Sequence, residues 1–169
     1  MSAAVAVADI DPAGDRPHAI HATAVLLGEA GIVIRGRSGA GKSSLALALL
    51  ELARTQGLFA RLIGDDRVLV TGVNGRLMVE AHPAIAGKIE RRGLGIVDLP
   101  HEGRAVVRLI VDLLDAETCG IPPRLPEAAE RTAAIEATQV RRVALRAGAS
   151  AVELAAQILF ELPTGQADA

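Results

Sequence analysis

Residues 36–43 read GRSGAGKS, and this glycine-rich stretch constrains the fold more than any other part of the chain. An apolar, β-rich run over 31–35 precedes it, and a long run of alanine and leucine follows it. Glycine at the start of a helix costs conformational entropy and provides no side chain for packing. Three glycines at this place therefore indicate that a ligand approaches the backbone closely.

The spacing of Gly36, Gly41, Lys42 and Ser43 is that of the P-loop, G-x-x-x-x-G-K-[ST]. Backbone N–H groups of such a loop turn towards a phosphate, and the positive end of the helix dipole adds to the attraction. Lys42 is placed to reach the terminal phosphates, and the Ser43 hydroxyl is placed to bind Mg²⁺. A glycine-rich turn that binds nothing would share the composition, but the strand before it and the helix after it favour a nucleotide site. The predicted nucleotide-binding residues are Gly36, Arg37, Ser38, Gly39, Ala40, Gly41, Lys42, Ser43 and Ser44.

Length and composition bound the other possibilities. A chain of 169 residues has room for one domain with a core, and its formal net charge of −2 excludes a basic surface for nucleic acid. Cys119 is the single cysteine, which excludes an intrachain disulfide and a multi-cysteine zinc site. The first residues lack a basic leading segment and contain three aspartates, so we expect no signal peptide, no membrane segment and a cytoplasmic protein. We predict a loose tail over 1–18, a P-loop kinase domain over 19–163 and a C-terminal tail over 164–169.

Alternating β-rich and helical patterns predict one α/β domain. Asn74 and Gly75 lie between two β-rich runs, as in a hairpin turn, and three prolines within 120–130 predict a loop. Ser150 and Glu153 predict a capping box that begins the last helix. The predicted elements are a hairpin of 21–27 and 31–35, a helix over 45–54, a strand over 59–64, a hairpin over 67–81, a central strand over 105–114, one strand over 135–145 and a helix ending near 162.

Acidic residues after the predicted strand over 59–64 are the next candidates for chemistry. Asp65 and Asp66 stand where ligands bind at the carboxyl ends of strands in α/β sheets. One carboxylate would lie near Mg²⁺ and the other would take a proton from an attacking hydroxyl. A solvated turn would also use aspartate here, and spacing alone does not separate the two interpretations.

The stretch KIERRGLGIVD, residues 88–98, is a third candidate. Glu90 has the chemistry of a metal ligand and Arg92 that of a phosphate clamp, while Gly93 and Gly95 permit close backbone approach. A charged surface turn with glycines at its bends would look the same. His21 is likewise ambiguous, because a lone histidine before a strand is more often structural or exposed than catalytic.

Together these stretches resemble the HPr kinase/phosphorylase family. That family has a histidine shortly before the P-loop, an Ala-Asp-Asp strand end after it, and a signature close to I-E-I-R-G-L-G-I-I-D. This chain has His21, GRSGAGKS, LIGDDRV and IERRGLGIVD in the same order, and the last motif is the most specific. The resemblance covers about residues 19–162, the family's catalytic domain. Family members commonly carry an additional N-terminal domain, so the chain looks like the short form.

The resemblance implies a fold and an activity. The fold would be α/β, a P-loop domain with a mixed sheet related to phosphoenolpyruvate carboxykinase. The activity would be phosphorylation of a serine of the phosphocarrier protein HPr, or of a nitrogen-system homologue, with ATP and Mg²⁺ as cofactors. The family forms hexamers, so we expect a homo-oligomer.

Residue roles follow by motif from the same resemblance. Lys42 would hold the phosphates, and Ser43 and Glu90 would hold Mg²⁺. Asp66 would be the base for the serine proton, supported by Asp65. The other catalytic residues would be His21, Arg92 and, in an Arg-Leu context, Arg124. Arg91 stands where the family usually has an apolar residue, which bears on local packing rather than on chemistry.

The family's reverse reaction, in which inorganic phosphate removes the phosphoryl group, is expected to be weak here. A basic segment close to P-V-R-P-G-R-N is linked to it, and the matching stretch 144–150 keeps Arg146 but has Ala149 in place of the second arginine. Two anions held together need more positive charge than the forward step. Arg141 or Arg142 would be alternative sources of that charge.

Two other functions remain open from the sequence. One is a small-molecule kinase that uses the same site, and the other is a nucleotide-sensing module without phosphoryl transfer. The aspartate pair and Glu90 favour catalysis over sensing, because a sensor needs the phosphate cradle but no base.

Overall fold

Eleven strands and three α-helices make up the part of the chain that the computed structural model describes, residues 16–162. The strands are β1 (His18–Ile20), β2 (Ala22–Leu27), β3 (Ala30–Arg35), β4 (Ala60–Gly64), β5 (Val68–Val73), β6 (Arg76–Ala81), β7 (Lys88–Arg91), β8 (Gly95–Asp98), β9 (Arg104–Leu114), β10 (Thr132–Ile135) and β11 (Thr138–Arg146). The helices are α1 (Lys42–Thr55), α2 (Ala116–Cys119) and α3 (Ala151–Glu161), and short 3₁₀ turns cover Pro83–Ile85 and Ala128–Arg131.

Strand β9 joins the two halves of the nine-stranded sheet. One edge of β9 pairs with β3 in parallel, and the other edge pairs with β6 in antiparallel and with β11 in parallel. The main path through the sheet is β1-β5-β6-β9-β3-β2-β4, and β7 and β8 form a separate hairpin. The sheet is therefore mixed, as predicted.

Each face of the sheet covers its own hydrophobic core. Helices α1 and α3 pack together on one face, against Ile32 and Ile34 of β3 and Leu109 of β9. On the other face Val33 and Val107 pack with residues of the β5–β6 hairpin. Alternate residues of β3 thus point into different cores, which explains why the strand is apolar as far as Ile34.

A bulge in β9 changes which of its residues face which core. Val107 pairs with Gly31, but the next partner, Ile32, pairs with Leu109, so Arg108 is the extra residue. Arg108 is exposed. Gly31 lies at this bulge, and a Cβ atom added to it would stand 2.6 Å from the carbonyl oxygen of Val106. The bulge therefore requires glycine at position 31.

We predict that Gly31→Ala destabilises the protein by about 1–3 kcal/mol, because the methyl group meets backbone rather than a side chain that can move away. Gly103→Ala is the matched control, since a Cβ atom there meets nothing within 4 Å. Urea unfolding of both variants measures the difference. Equal stability of the two variants would contradict this account of the bulge.

Most predicted elements are confirmed. The first two strands form the antiparallel pair β2–β3, and Asn74 and Gly75 form the turn of the β5–β6 hairpin with φ angles of 49° and 72°. The Ser150 side chain accepts a hydrogen bond from the backbone N–H of Glu153 at the start of α3. Helix α1 begins at Lys42, three residues before the predicted start, because the P-loop lysine already has helical geometry.

Three predictions need correction or extension, and two elements were not predicted. The single strand over 135–145 is wrong: β10 and β11 form a hairpin whose turn is Glu136 and Ala137, both at positive φ. Neither residue type is typical of such a turn, so the sequence gives no signal for it.

The predicted loop over 120–130 ends in a 3₁₀ turn, and the hairpin β7–β8 and helix α2 were not predicted. Strand β1 includes His18, within the predicted tail, and residues 1–15 and 163–169 lie outside the described residues.

A buried carboxylate on β9 ties three strands together near the P-loop. Asp112 accepts two hydrogen bonds from the guanidinium group of Arg35 on β3, at 2.7 and 2.8 Å, and one from Arg142 on β11. Burial alone would raise the pKa of Asp112, but the hydrogen bonds and charges of Arg35 and Arg142 outweigh it and lower the pKa. The folded state thus favours the ionised carboxylate.

We predict that Asp112→Asn destabilises the protein by about 3 kcal/mol at pH 7, because it leaves two arginines without their counter-charge. Since the folded pKa lies below the unfolded one, the contribution of Asp112 is present above the unfolded pKa and is lost as pH falls through the folded pKa. Urea unfolding between about pH 5 and pH 2 should therefore show a shallower loss of stability in the variant than in the wild type.

The control for this prediction is Asp98→Asn. Asp98 pairs with Lys88 on the surface and its side chain is 80% exposed, so its removal should have a far smaller effect. If both variants lose stability equally, the Asp112 cluster is not the stabilising feature we infer.

No helix among residues 16–162 combines the length and the apolar character that crossing a membrane requires.

Candidate functional site

The P-loop connects β3 to α1 and leaves the start of the helix open. Gly39 and Gly41 have φ angles of 80° and 97°, which other residues rarely adopt. Among the residues that the structure describes, no side chain caps α1, and its first turn contains no acidic residue. Free N–H groups and the helix dipole thus face the loop, which is the arrangement that binds phosphate.

Lys42 is held in the loop by three contacts of its ammonium group. It donates to the carbonyl oxygens of Gly36 and Arg37, both at 2.9 Å, and lies 3.1 Å from Nε2 of His21. Burial lowers the pKa of Lys42, while the negative charges of Asp66 and Asp65 act in the opposite direction. The side chain is therefore a preorganised cation at the bottom of the loop.

His21 connects Lys42 to Asp66. An ammonium group can only donate, so Nε2 of His21 accepts and Nδ1 carries the proton. Nδ1 then donates to Oδ1 of Asp66, at 3.1 Å. Asp66 has a φ angle of 62°, and its side chain is 76% exposed and lines the cleft.

Asp65 has the opposite environment, although it is the adjacent residue. It is 4% exposed, and its Oδ1 accepts hydrogen bonds from the hydroxyl groups of Thr23 and Ser43, both at 2.7 Å. Its Oδ2 accepts from the backbone N–H of Glu90 at 3.1 Å. Asp65 thus joins strand β2, helix α1 and the β7–β8 hairpin at one point.

The β7–β8 hairpin forms one wall of the site. Ile89 is buried in the core beside α1, which fixes the hairpin, while Glu90 and Arg92 face the cleft. A Cβ atom added to Gly39 would stand 3.6 Å from the guanidinium group of Arg92, so this group lies close above the P-loop. Arg91 is exposed and lines the cleft, so its charge disturbs no packing.

These elements enclose a cleft of about 630 Å³, a size within the range of small-ligand sites. Its lining comprises His21, Ser38, Gly39, Gly41, Lys42, Ser43, Ser44, Leu47, Asp65, Asp66, Glu90, Arg91, Arg92 and Leu94. The lining combines cationic groups for phosphate with three carboxylates, which is the composition expected for a metal–nucleotide complex.

The donor atoms fit Mg²⁺ bound together with a nucleotide. Within residues 16–162 no group of three or more His, Cys, Asp or Glu side chains could hold a metal ion by itself. Mg²⁺ usually takes one or two protein carboxylates and completes its shell with water and phosphate oxygens. Ser43 and Glu90 line the cleft and suit that incomplete protein shell, and Asp65 accepts hydrogen bonds from the Ser43 hydroxyl group and the Glu90 backbone.

Most of the predicted site residues line one cleft, and the exceptions are Gly36, Arg37, Ala40 and Arg124. Arg124 is exposed in the loop before the 3₁₀ turn and lines neither this cleft nor the larger one of about 810 Å³ between α3, β11 and the loop after β9. Its assignment stays a prediction. Arg37, another P-loop residue, forms an ion pair with Asp115. The larger cleft is lined by Arg141 and Arg142, the alternative sources of charge for the reverse reaction, and by none of the other predicted site residues.

Sequence reasoning missed two parts of the site. Thr23 is fully buried and orients Asp65, and a lone polar residue in the otherwise apolar β2 was the available signal. Leu94 at the turn of the hairpin lines the cleft, but nothing in the sequence distinguished it from a surface residue.

We predict that Thr23→Val weakens binding of the magnesium–nucleotide complex about tenfold but leaves binding of the metal-free nucleotide unchanged. The valine keeps the shape and removes one hydrogen bond that orients Asp65, and loss of such supporting contacts typically costs about 10–100-fold in metal affinity. Titration with a nucleotide analogue, with and without Mg²⁺, measures the effect.

Thr71→Val is the matched control. Thr71 is also buried in a strand, but within the described residues its hydroxyl group has no hydrogen-bond partner. This variant should bind both forms of the nucleotide as the wild type does. A Thr23→Val variant that also behaves like the wild type would contradict the role of Thr23.

Comparison with known proteins agrees with this geometry. The profile of the family described as HPr Serine kinase C-terminal domain matches residues 16–155. A protein named HPr kinase/phosphorylase from Mycoplasma mycoides is 33% identical over 102 residues, which are 56% of this chain and 31% of that protein. One of the same name from Clostridium tetani is 35% identical over 91 residues, 54% of this chain and 26% of that protein. The alignments thus span less than a third of the length of these curated relatives.

A solved structure has the same fold. The structure of the Hpr(Ser) kinase/phosphatase from Coxiella burnetii matches with a TM-score of 0.70 at 22% sequence identity, covering 85% of this chain and 95% of that chain. At this identity the match supports the fold alone.

Fold and site together define an α/β P-loop domain with a mixed sheet and a cleft lined by carboxylates and cationic side chains. The chain belongs to the HPr serine kinase C-terminal domain family, whose profile covers most of its length.

Proposed function

We propose that the protein is a protein-serine kinase that uses ATP and Mg²⁺ to phosphorylate HPr or a nitrogen-system homologue. The observation that carries this proposal is the unequal environment of two adjacent carboxylates. Asp65 is buried and hydrogen-bonded to Ser43, whereas Asp66 is exposed at the cleft and oriented by His21. One is suited to the metal side of the site and the other to an incoming hydroxyl group.

Each cleft residue has a proposed role in binding. The P-loop N–H groups and Lys42 hold the β- and γ-phosphates, and Arg92 adds positive charge above the loop. Ser43 and Glu90 hold Mg²⁺, with Asp65 fixing the orientation of both. When bound, the ion neutralises charge on the phosphate oxygens.

Asp66 acts as the general base in the proposed transfer. It accepts the proton of the acceptor serine, whose oxygen forms a bond to the γ-phosphorus as the bond to ADP breaks. His21 keeps one Asp66 oxygen engaged, which aims the other at the cleft. Lys42 remains near the terminal phosphates and stabilises charge that develops on them.

Location, assembly and the reverse reaction are further parts of the proposal. We infer action in the cytoplasm, where the phosphotransferase system that contains HPr is regulated, and assembly into a homo-oligomer, a hexamer by family resemblance. Phosphate-dependent dephosphorylation would be weak, because Ala149 replaces an arginine of the family's segment. Arg141 and Arg142 are already engaged by Glu161 and Asp112, which supports the same expectation.

Incubation with labelled ATP, Mg²⁺ and purified HPr tests the function, with Asp66→Asn as the diagnostic variant. We expect transfer to a serine of HPr by the wild type and a loss of about 10²–10⁴-fold in the variant, with nucleotide binding unchanged. Asparagine suits this position because, like aspartate, it tolerates the positive φ angle of residue 66.

Glu51→Gln is the control, because it removes an exposed carboxylate on α1 outside the cleft. Wild-type activity in the Asp66→Asn variant would show that the base is misassigned. No label on HPr from the wild type would overturn the proposed function.

A further inference from the structure

Two large apolar side chains are exposed beside the polar cleft. Leu94 is 67% exposed and Ile96 is 70% exposed, although both belong to a hairpin whose other face is packed on the core. Neither phosphate, metal nor the proton transfer requires an apolar group at this place. The exposure of Leu94 and Ile96 beside the cleft therefore needs its own explanation.

The register of the hairpin places Ile96 beside the site carboxylate. In the antiparallel pair β7–β8, Ile96 lies directly opposite Glu90, whereas Val97 lies opposite the buried Ile89. Cross-strand partners share a face of the sheet. Ile96 and Glu90 thus share the face away from the core, and Val97 and Ile89 share the core face.

Leu94 lies two residues before Ile96 and lines the cleft itself. It is the last residue of the hairpin turn, and its neighbours Gly93 and Gly95 have φ angles of 80° and 79°. Leu94 lines the cleft together with Asp66. We call Leu94 and Ile96 the apolar ledge of the site.

We propose that the apolar ledge is the docking surface for the protein acceptor, where it contacts aliphatic side chains next to the serine that receives the phosphoryl group. This inference rests on the proposed kinase function. Glu90 and Asp66 mark the end of the cleft where transfer takes place, and the ledge adjoins that end. An acceptor that presents its hydroxyl group to Asp66 enters the cleft that Leu94 also lines.

The charge beside the ledge suits such a partner. Arg91 follows Glu90 on β7, is exposed, and forms no ion pair with any residue from 16 to 162. A free guanidinium group next to exposed leucine and isoleucine fits a protein surface that combines aliphatic side chains with a carboxylate. A nucleotide base offers neither.

The test is steady-state kinetics of HPr phosphorylation by the double variant Leu94→Ser/Ile96→Thr. We expect the KM for HPr to rise about tenfold or more, with kcat and the Kd of the magnesium–ATP complex unchanged. The conservative variant Leu94→Met/Ile96→Val should keep the wild-type KM, because it keeps the apolar surface.

The control is Leu58→Ser/Val73→Thr, which removes two exposed aliphatic side chains outside the cleft. It should leave all three constants unchanged.

Four outcomes would overturn the docking proposal. An unchanged KM in an active Leu94→Ser/Ile96→Thr variant would do so and would leave the kinase function intact. A weaker Kd for magnesium–ATP would assign the ledge to the nucleotide, and a smaller assembly in light scattering would assign it to contact between copies of this chain. No transfer by the wild type would overturn both the function and the docking proposal.

Discussion

The carboxylate of Asp65 is the interaction on which the site depends. It receives hydrogen bonds from Thr23, Ser43 and the backbone of Glu90, so three separate chain segments converge on one buried group. An ionised carboxylate inside a protein is stable only when such donors replace its water. The loop, the sheet and the hairpin are therefore positioned relative to one another before any ligand arrives.

The hydrogen bonds to Asp65 also give it an environment that differs from that of its neighbour Asp66. Residue 65 ends the buried part of its segment, and the left-handed backbone of Asp66 turns the next side chain outwards. Adjacent residues with identical chemistry thus experience very different surroundings. Environment rather than residue type assigns the roles we propose for them, as is common where two carboxylates share a site.

Local sequence signals predicted much of this structure. The P-loop spacing, the Asn74-Gly75 turn and the Ser150 cap are short patterns with a direct physical cause, and each appears where it was expected. The order of the motifs also predicted that His21 and Asp66 belong to one site, and both residues line the cleft. These features depend on residues close together in the chain, or on motifs that occur in a fixed order.

Features that depend on distant contacts were not predictable. The turn at Glu136 connects β10 to β11, which also pairs with the distant strand β9, and the bulge at Arg108 lies in the register between strands far apart in sequence. The orienting contact of Thr23 required knowledge that β2 pairs with β4, the strand that ends just before Asp65. In each case tertiary packing outweighed local preference.

Strand β9 also has a consequence for how the protein loses its structure. Its first residues pair with β6 and its last with β11, while β3 runs along the opposite edge. If β9 detaches, neither hydrophobic core remains complete, because β9 supplies residues to both cores. The amide protons of β9 should thus exchange with solvent only through global opening, and the two halves of the sheet form one cooperative unit rather than two independent ones.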